Sequence, residues 1–323
     1  SYLTLGKISA KASVSYGLGA SAELRLTYQH GVFIIIAAAQ FVAGPGCSGK
    51  VAIELNPENA DRFITCCLAV LKESGFRRIA LFGESDSNGV NEDFVAFNNV
   101  LTVAITLGLT FAEAMLLPDK AVRYYKKETL KGKYAPFLAQ RILEKENKVK
   151  MQEWITSLPP ETLSSLLSCL ISFNVYSRPY SNDQVQSVLQ ILRWIKVNPN
   201  GVNQNQFERA LVLMNGNIET QQSPLTQWES FKLSWIKLAS FIKKHGDKLG
   251  ENRRSFNRSC ITLCKNMSLY RLDTDHILGG TTSDYICFYN GQDLDADTKI
   301  WRDKLITKAQ KKYTLIDWKT DVI

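Results

Sequence analysis

Residues 44–51 read GPGCSGKV, seven of the eight positions of the phosphate-binding pattern G-x-x-x-x-G-K-[ST]. Such a loop holds phosphates because backbone N–H groups converge where a helix begins. Its Lys reaches the β- and γ-phosphates and its Ser or Thr hydroxyl ligates Mg²⁺. Val51 stands where that hydroxyl belongs, and no side-chain oxygen replaces it. The residues that follow, VAIEL, are strand-like, and the first helix signal comes only at Pro57-Glu58. The helix dipole would then point away from the loop. Glycines at 44, 46 and 49 around Pro45 fit a wide turn between two strands. The reading is a structural corner, with no nucleotide and no other cofactor expected.

A second candidate is GESDSNGVNED at 83–93. Glu84, Asp86 and Asn88 have the 1-3-5 spacing of a calcium loop, with Gly89 at the sixth position and Glu92 at the ninth. Val95 occupies the twelfth position, where a bidentate Glu belongs, so the stretch reads first as an acidic turn that caps the next helix. Two further residues are candidates for acid–base work. His276 follows Asp273 and Asp275 in LDTDHILGG, and Glu113 is the single charge within VLTVAITLGLTFAEAMLL. A catalytic histidine needs an orienting partner and a reacting group, and no nucleophile-elbow, zinc-protease or Cys-His signature accompanies either residue. The seven cysteines, at 47, 66, 67, 169, 260, 264 and 287, are odd in number and irregularly spaced. That pattern argues against a disulfide framework and for a reducing compartment. Cys260 and Cys264 have no histidine at ligand spacing, so buried thiols are expected and a resident metal is not.

Charge is concentrated rather than spread. The whole chain carries +8, while residues 120–150 hold ten Lys or Arg against Glu128, Glu144 and Glu146, a net +7. Lys120, Arg123, Lys126, Lys127, Lys131 and Lys133 are the candidate contacts to an anionic surface, against the plainer reading of a solvated helix face. Directly before them, Val100–Leu117 is eighteen residues long with one charge, near the lower limit for a membrane span. Mean hydropathy of −0.13 and the lack of a second clean span favour a buried central helix, with a membrane-inserting segment as the alternative.

These residues need elements to hold them. Apolar and polar residues alternate from Ile8 to Tyr28, the pattern of a strand with one buried face. Unbroken, such a strand would extend about 70 Å, so a bend at Gly17-Leu18-Gly19 is expected. Gln29-His30-Gly31 reads as the next turn, 32–43 and 50–55 as further strands, and the whole as an antiparallel meander. After Asn56 the period changes. Apolar residues recur at helical spacing over 58–74, 92–117, 119–147, 159–173, 183–197, 203–215, 225–245, 252–270 and 296–312. The resulting expectation is an α+β chain: a meander at 1–56, a large mainly helical domain at 57–275, and a short strand plus helix at 276–323.

GLGASAELRLTYQ followed by FVAGPGCSGKVAIELNPENADRF resembles the C-terminal region of large bacterial type VI secretion toxins, in the group that includes colicin-like, pore-forming effectors. The likeness covers residues 6–120 and brings no catalytic residues with it. It implies an antibacterial protein made in the cytoplasm without a signal peptide and delivered into a target cell. A chain that opens on Ser1, with no basic and apolar leader pattern, agrees with a piece of a longer polypeptide. The function expected is binding or perturbing a membrane without turnover, with 100–117 inserting and the 120–150 cations holding headgroups. A cell-wall hydrolase using Glu113 or the 84–93 acids is the alternative enzyme. A module that binds an immunity protein or a secretion-machinery component is the third reading, and no nucleic-acid partner is expected.

Overall fold

The computed structural model describes residues 7–9, 25–29, 32–38, 50–76, 92–175, 177–196, 202–214 and 224–264. The chain divides into two compact units, Ser1–Lys127 and Glu128–Ile323.

The α+β expectation with an N-terminal meander is corrected. Every regular element whose side chains are described is a helix, and the described part of the chain is mainly α. Of the long alternating stretch, strand backbone is described only at β1 (Lys7–Ser9) and β2 (Arg25–Gln29). The bend expected at 17–19 lies outside the described residues. With β3 (Val32–Ala38) and β4 (Lys50–Leu55), these strands pair antiparallel in the order β1-β4-β3-β2. The first strand therefore lies beside the last rather than beside its neighbour in sequence, which a simple meander would not give. In the register Ile8, Ile53, Ile35 and Leu26 fall in one row across the four strands. Gln29 pairs with Val32.

In the first unit, α1 (Pro57–Glu73) starts where Asn56 accepts a hydrogen bond from the Asn59 N–H at 2.8 Å and Pro57 presets the first turn. It ends at Ser74, with Gly75 and Phe76 at φ of 70° and 60°. The Phe76 N–H donates to the Leu71 carbonyl and its ring is buried, so packing holds a conformation that a non-glycine residue rarely adopts.

The apolar run at 100–117 is not one element. α2 (Glu92–Leu107) stops at Gly108, whose φ is 77°, and α3 (Phe111–Met115) is a separate short helix. α2 is about 24 Å long, below the roughly 30 Å of a hydrocarbon core. Leu101, Val103 and Ala104 are sealed in a core with Leu68, Phe97 and Phe111. No described helix is long and apolar enough to cross a membrane. In this structure the described residues of 100–117 pack in a core.

α4 (Asp119–Leu130) contains the division between the units. The second unit continues with α5 (Ala135–Leu143), α6 (Lys148–Ile155), α7 (Pro160–Leu170), a 3-10 turn at Arg178–Tyr180, α8 (Ser181–Lys196), α9 (Val202–Leu213), α10 (Pro224–Lys244) and α11 (Leu249–Cys264). α8 packs against α5 and α11, and α9 packs against α7 and α10. The core is aromatic where α9, α10 and α11 meet: Trp235 lies 5.3–6.0 Å, centroid to centroid, from Phe231, Phe256 and Phe207. Buried amides join the other helices. Gln206 on α9 donates to the carbonyls of Ile155 and Leu158, and Gln184 on α8 donates to those of Leu170 and Ser172. Each amide thus satisfies carbonyls that the end of another helix leaves without partners.

Candidate functional site

Helical spacing sorts the cations of α4 by face. Lys120, Arg123 and Lys127 stand at i, i+3 and i+7 and are exposed, with Tyr124 half exposed at 50% between them. Val122 and Thr129 occupy the opposite face and are buried. Among the described residues, Lys120, Arg123 and Lys127 form no ion pair. The other three expected contacts are engaged locally. Lys126 turns inward and its Nζ donates to the Thr102 hydroxyl at 3.3 Å. Lys131 and Lys133 lie 3.2 and 3.6 Å from the Glu128 carboxylate, which they hold below the usual Glu range, chiefly through the Lys131 hydrogen bond. The six cations are thus not one surface; three of them form an open row.

Glu113 is a capping residue by its geometry. Its carboxylate accepts from the Thr110 N–H at 2.8 Å and the Thr110 hydroxyl at 3.0 Å, while the Glu113 N–H donates to Thr110 Oγ1. This reciprocal box opens α3, and Asp61 of α1 accepts the Ala112 N–H at 3.0 Å beside it. The Thr110 N–H, then its hydroxyl, hold the Glu113 carboxyl below the usual range. A general acid at neutral pH needs the opposite shift.

Lys50 and Val51 open strand β4, and the helix begins only at Pro57, so the position that would face a phosphate in a P-loop lies in a sheet. Residues 44–49, the calcium-loop candidates Glu84, Asp86 and Asn88, and His276 lie outside the described residues. Burial pushes the thiols of Cys67 and Cys169 up to about 12, which makes them packing groups rather than nucleophiles. Among the described residues no three His, Cys, Asp or Glu side chains gather as a metal site.

The structure also shows a feature that sequence reasoning missed. A cleft of about 570 Å³ runs between α8 and α11, within the second unit. The two helices lie parallel: Asn182 accepts the Asp247 N–H near their starts, and Gln186 donates to Asn252 one turn on. Arg193 and Lys196 of α8 and Arg254 and Arg258 of α11 also line the cleft, the Arg254 guanidinium lying back beside Gly250. The signal in sequence was two pairs of basic residues at i, i+3 and i, i+4, and nothing in the sequence placed the two helices side by side. Comparison with family models, curated proteins and solved structures finds no match to this chain.

Proposed function

We propose that this chain is a non-enzymatic, membrane-docking part of a delivered antibacterial toxin, held on anionic lipid surfaces through the outer face of α4. The observation that carries the reading is the open row Lys120, Arg123 and Lys127, which flanks an exposed Tyr124. A cation near an anionic bilayer contributes about 1 kcal/mol, so three in a row contribute roughly 3 kcal/mol, about a hundredfold in partitioning. A tyrosine among them supplies an amphipathic ring of the kind that settles at headgroup level. Docking of this kind needs no spanning helix, in keeping with the burial of 100–117. The delivery context rests on the N-terminal resemblance.

The test is co-sedimentation with vesicles of phosphatidylglycerol and phosphatidylcholine. Binding is expected to fall as salt rises and as the phosphatidylglycerol fraction drops. The triple change Lys120→Glu, Arg123→Glu, Lys127→Glu should abolish it, while Lys131→Gln with Lys133→Gln should leave most of it. Equal binding by the triple variant would remove the basis of this reading.

A further inference from the structure

The second unit carries an exposed apolar cluster that docking through α4 leaves unused. Between α7 and α8 the chain presents Phe173, Val175 and Tyr180, all exposed. Val175, at 84%, is the most exposed large hydrophobic side chain among the described residues. A single exposed apolar residue is ordinary on any surface, but three large ones within eight residues form a patch. The fold holds this patch in place. The Ser177 N–H donates to the Asn174 carbonyl at 3.2 Å and to Asn174 Oδ1 at 3.0 Å, and the Asn174 N–H donates to Ser177 Oγ at 2.9 Å. Ser177 is fully buried, so the turn is anchored in the unit while Val175, its first corner residue, stands in water. Phe173 stacks on His245 with ring centroids 4.1 Å apart, which ties its ring to the end of α10. The 3-10 turn at Arg178–Tyr180 runs directly into α8. A side chain on a turn braced in this way cannot fold back out of water.

Charge selects what covers the patch. Arg178 belongs to the 3-10 turn, and Lys244 is the last residue of α10, next to His245. Both are exposed, and neither forms an ion pair among the described residues. No Asp or Glu occurs from residue 162 to residue 182. The acids that follow, Asp183 in the first turn of α8 and Asp247 just before α11, stand at helix starts, where they complement the dipoles. An aliphatic tip with aromatic rings and unpaired cations around it suits the boundary between headgroups and acyl chains. The tip enters the apolar side, the tyrosine ring settles at the boundary, and the cations stay with the phosphates.

We propose that this turn is a membrane anchor of the second unit, seated in an anionic bilayer by Val175 with Phe173 and Tyr180, and held at the headgroups by Arg178 and Lys244. The inference rests on the reading of the chain as membrane-docking and adds a contact of a different kind. The α4 row contributes charge, which salt screens, whereas Val175 contributes apolar burial, which salt does not weaken. Because the turn is already formed, little ordering entropy opposes its insertion.

The experiment is co-sedimentation of the whole chain with vesicles of phosphatidylglycerol and phosphatidylcholine, at low and at moderate salt. Val175→Ser removes the apolar tip without adding charge, and at 84% exposure it leaves the fold alone, which unchanged melting verifies. It should weaken binding about tenfold at both salt levels, the size expected when the burial of one valine side chain is lost. Arg178→Gln with Lys244→Gln should weaken binding chiefly at low salt. Val175→Trp should strengthen binding, and lipids brominated on their acyl chains should quench its fluorescence more than that of the native chain. Equal binding by Val175→Ser and the native chain would mean that the patch faces a protein rather than a bilayer, and would overturn the proposal. So would a Val175→Trp indole that brominated lipid leaves unquenched. The triple α4 variant reads the other contact. Loss of binding there with none in Val175→Ser removes this anchor and keeps α4 docking, and the reverse result keeps this anchor and removes α4.

Discussion

The two units differ in how far their buried polar side chains join one helix to another. In the first unit, Asn98 and Thr102 each donate to a carbonyl one turn earlier on their own helix, and the neighbouring helices meet through apolar groups such as Leu68, Leu101 and Phe111. In the second unit, Gln184, Asn203, Gln204 and Gln206 donate to the ends of other helices, at Leu170, Thr156, Ile195 and Ile155. Apolar packing is non-directional and tolerates a change of shape at constant volume. A buried hydrogen bond is directional and leaves an unsatisfied group when it fails. Apolar volume therefore sets most helix contacts in the first unit, with Asp61 to Ala112 and Lys126 to Thr102 as polar links, whereas buried amides also tie several helix ends in the second.

Two glycines test how tightly the second unit is held. Gly75 and Gly132 have nearly the same φ, 70° and 72°. A Cβ on Gly75 meets nothing within 4 Å, whereas one on Gly132 would lie 2.1 Å from the Ser172 Cβ. Gly75→Ala should cost about 1 kcal/mol, the strain of a left-handed residue. Gly132→Ala adds a clash with a side chain rooted at the end of a packed helix, and should cost about 4 kcal/mol. Urea unfolding of both variants measures the difference. Equal losses would mean that the turn after α4 can open freely, and the contrast between the units would weaken.

A smaller effect separates bonds from volume. Gln206→Leu keeps most of the side-chain volume but strands the carbonyls of Ile155 and Leu158, and should cost about 3 kcal/mol. Leu101→Met in the first unit changes shape at similar volume and should cost about 1 kcal/mol. Denaturant midpoints at unchanged m-value check both. A Gln206→Leu variant as stable as Leu101→Met would show that the amide contributes no more than its bulk.

The helices were largely legible because their faces are periodic. The run expected at 58–74 is α1 with its cap at Asn56, and those at 183–197, 203–215 and 225–245 match α8, α9 and α10. Two long runs hid breaks. Gly108 and Gly132 each end a helix in the left-handed region, but a single glycine does not interrupt apolar spacing, so 92–117 and 119–147 read as continuous. The alternation over 8–28 misled the fold class, because period two says that a segment is extended but not which strand it joins. The open row on α4 was half legible. Spacing put Lys120, Arg123 and Lys127 on one face, but only the structure shows Lys126 bonded to Thr102 and Lys131 to Glu128. The α8–α11 cleft was not legible, since Gln186 and Asn252 meet across sixty-six residues.

Titration gives the smallest test and the most local one. In the second unit His245 stacks on Phe173 with ring centroids 4.1 Å apart and lies 4.8 Å from Phe241. Burial, then the charge of Lys244, hold its imidazole below the ordinary value of about 6.5. The unfolded chain then binds a proton more readily than the folded one, so stability rises with pH across this range. The contribution is fully present above the unfolded value and is lost as pH falls toward and through the lowered one. In the first unit the shifted acid is Glu113, depressed by its capping box, whose contribution is present above the usual carboxylate range and fails only at lower pH. Lowering the pH from 8 to 5.5 should therefore reduce amide protection in α10 before it reduces protection in α2. Hydrogen exchange, corrected for intrinsic rates, reads this directly, and His245→Phe should remove the difference by keeping the aromatic stack without the proton site. Protection that falls equally in both helices would show that the acid response is shared by the chain and that His245 does not set it.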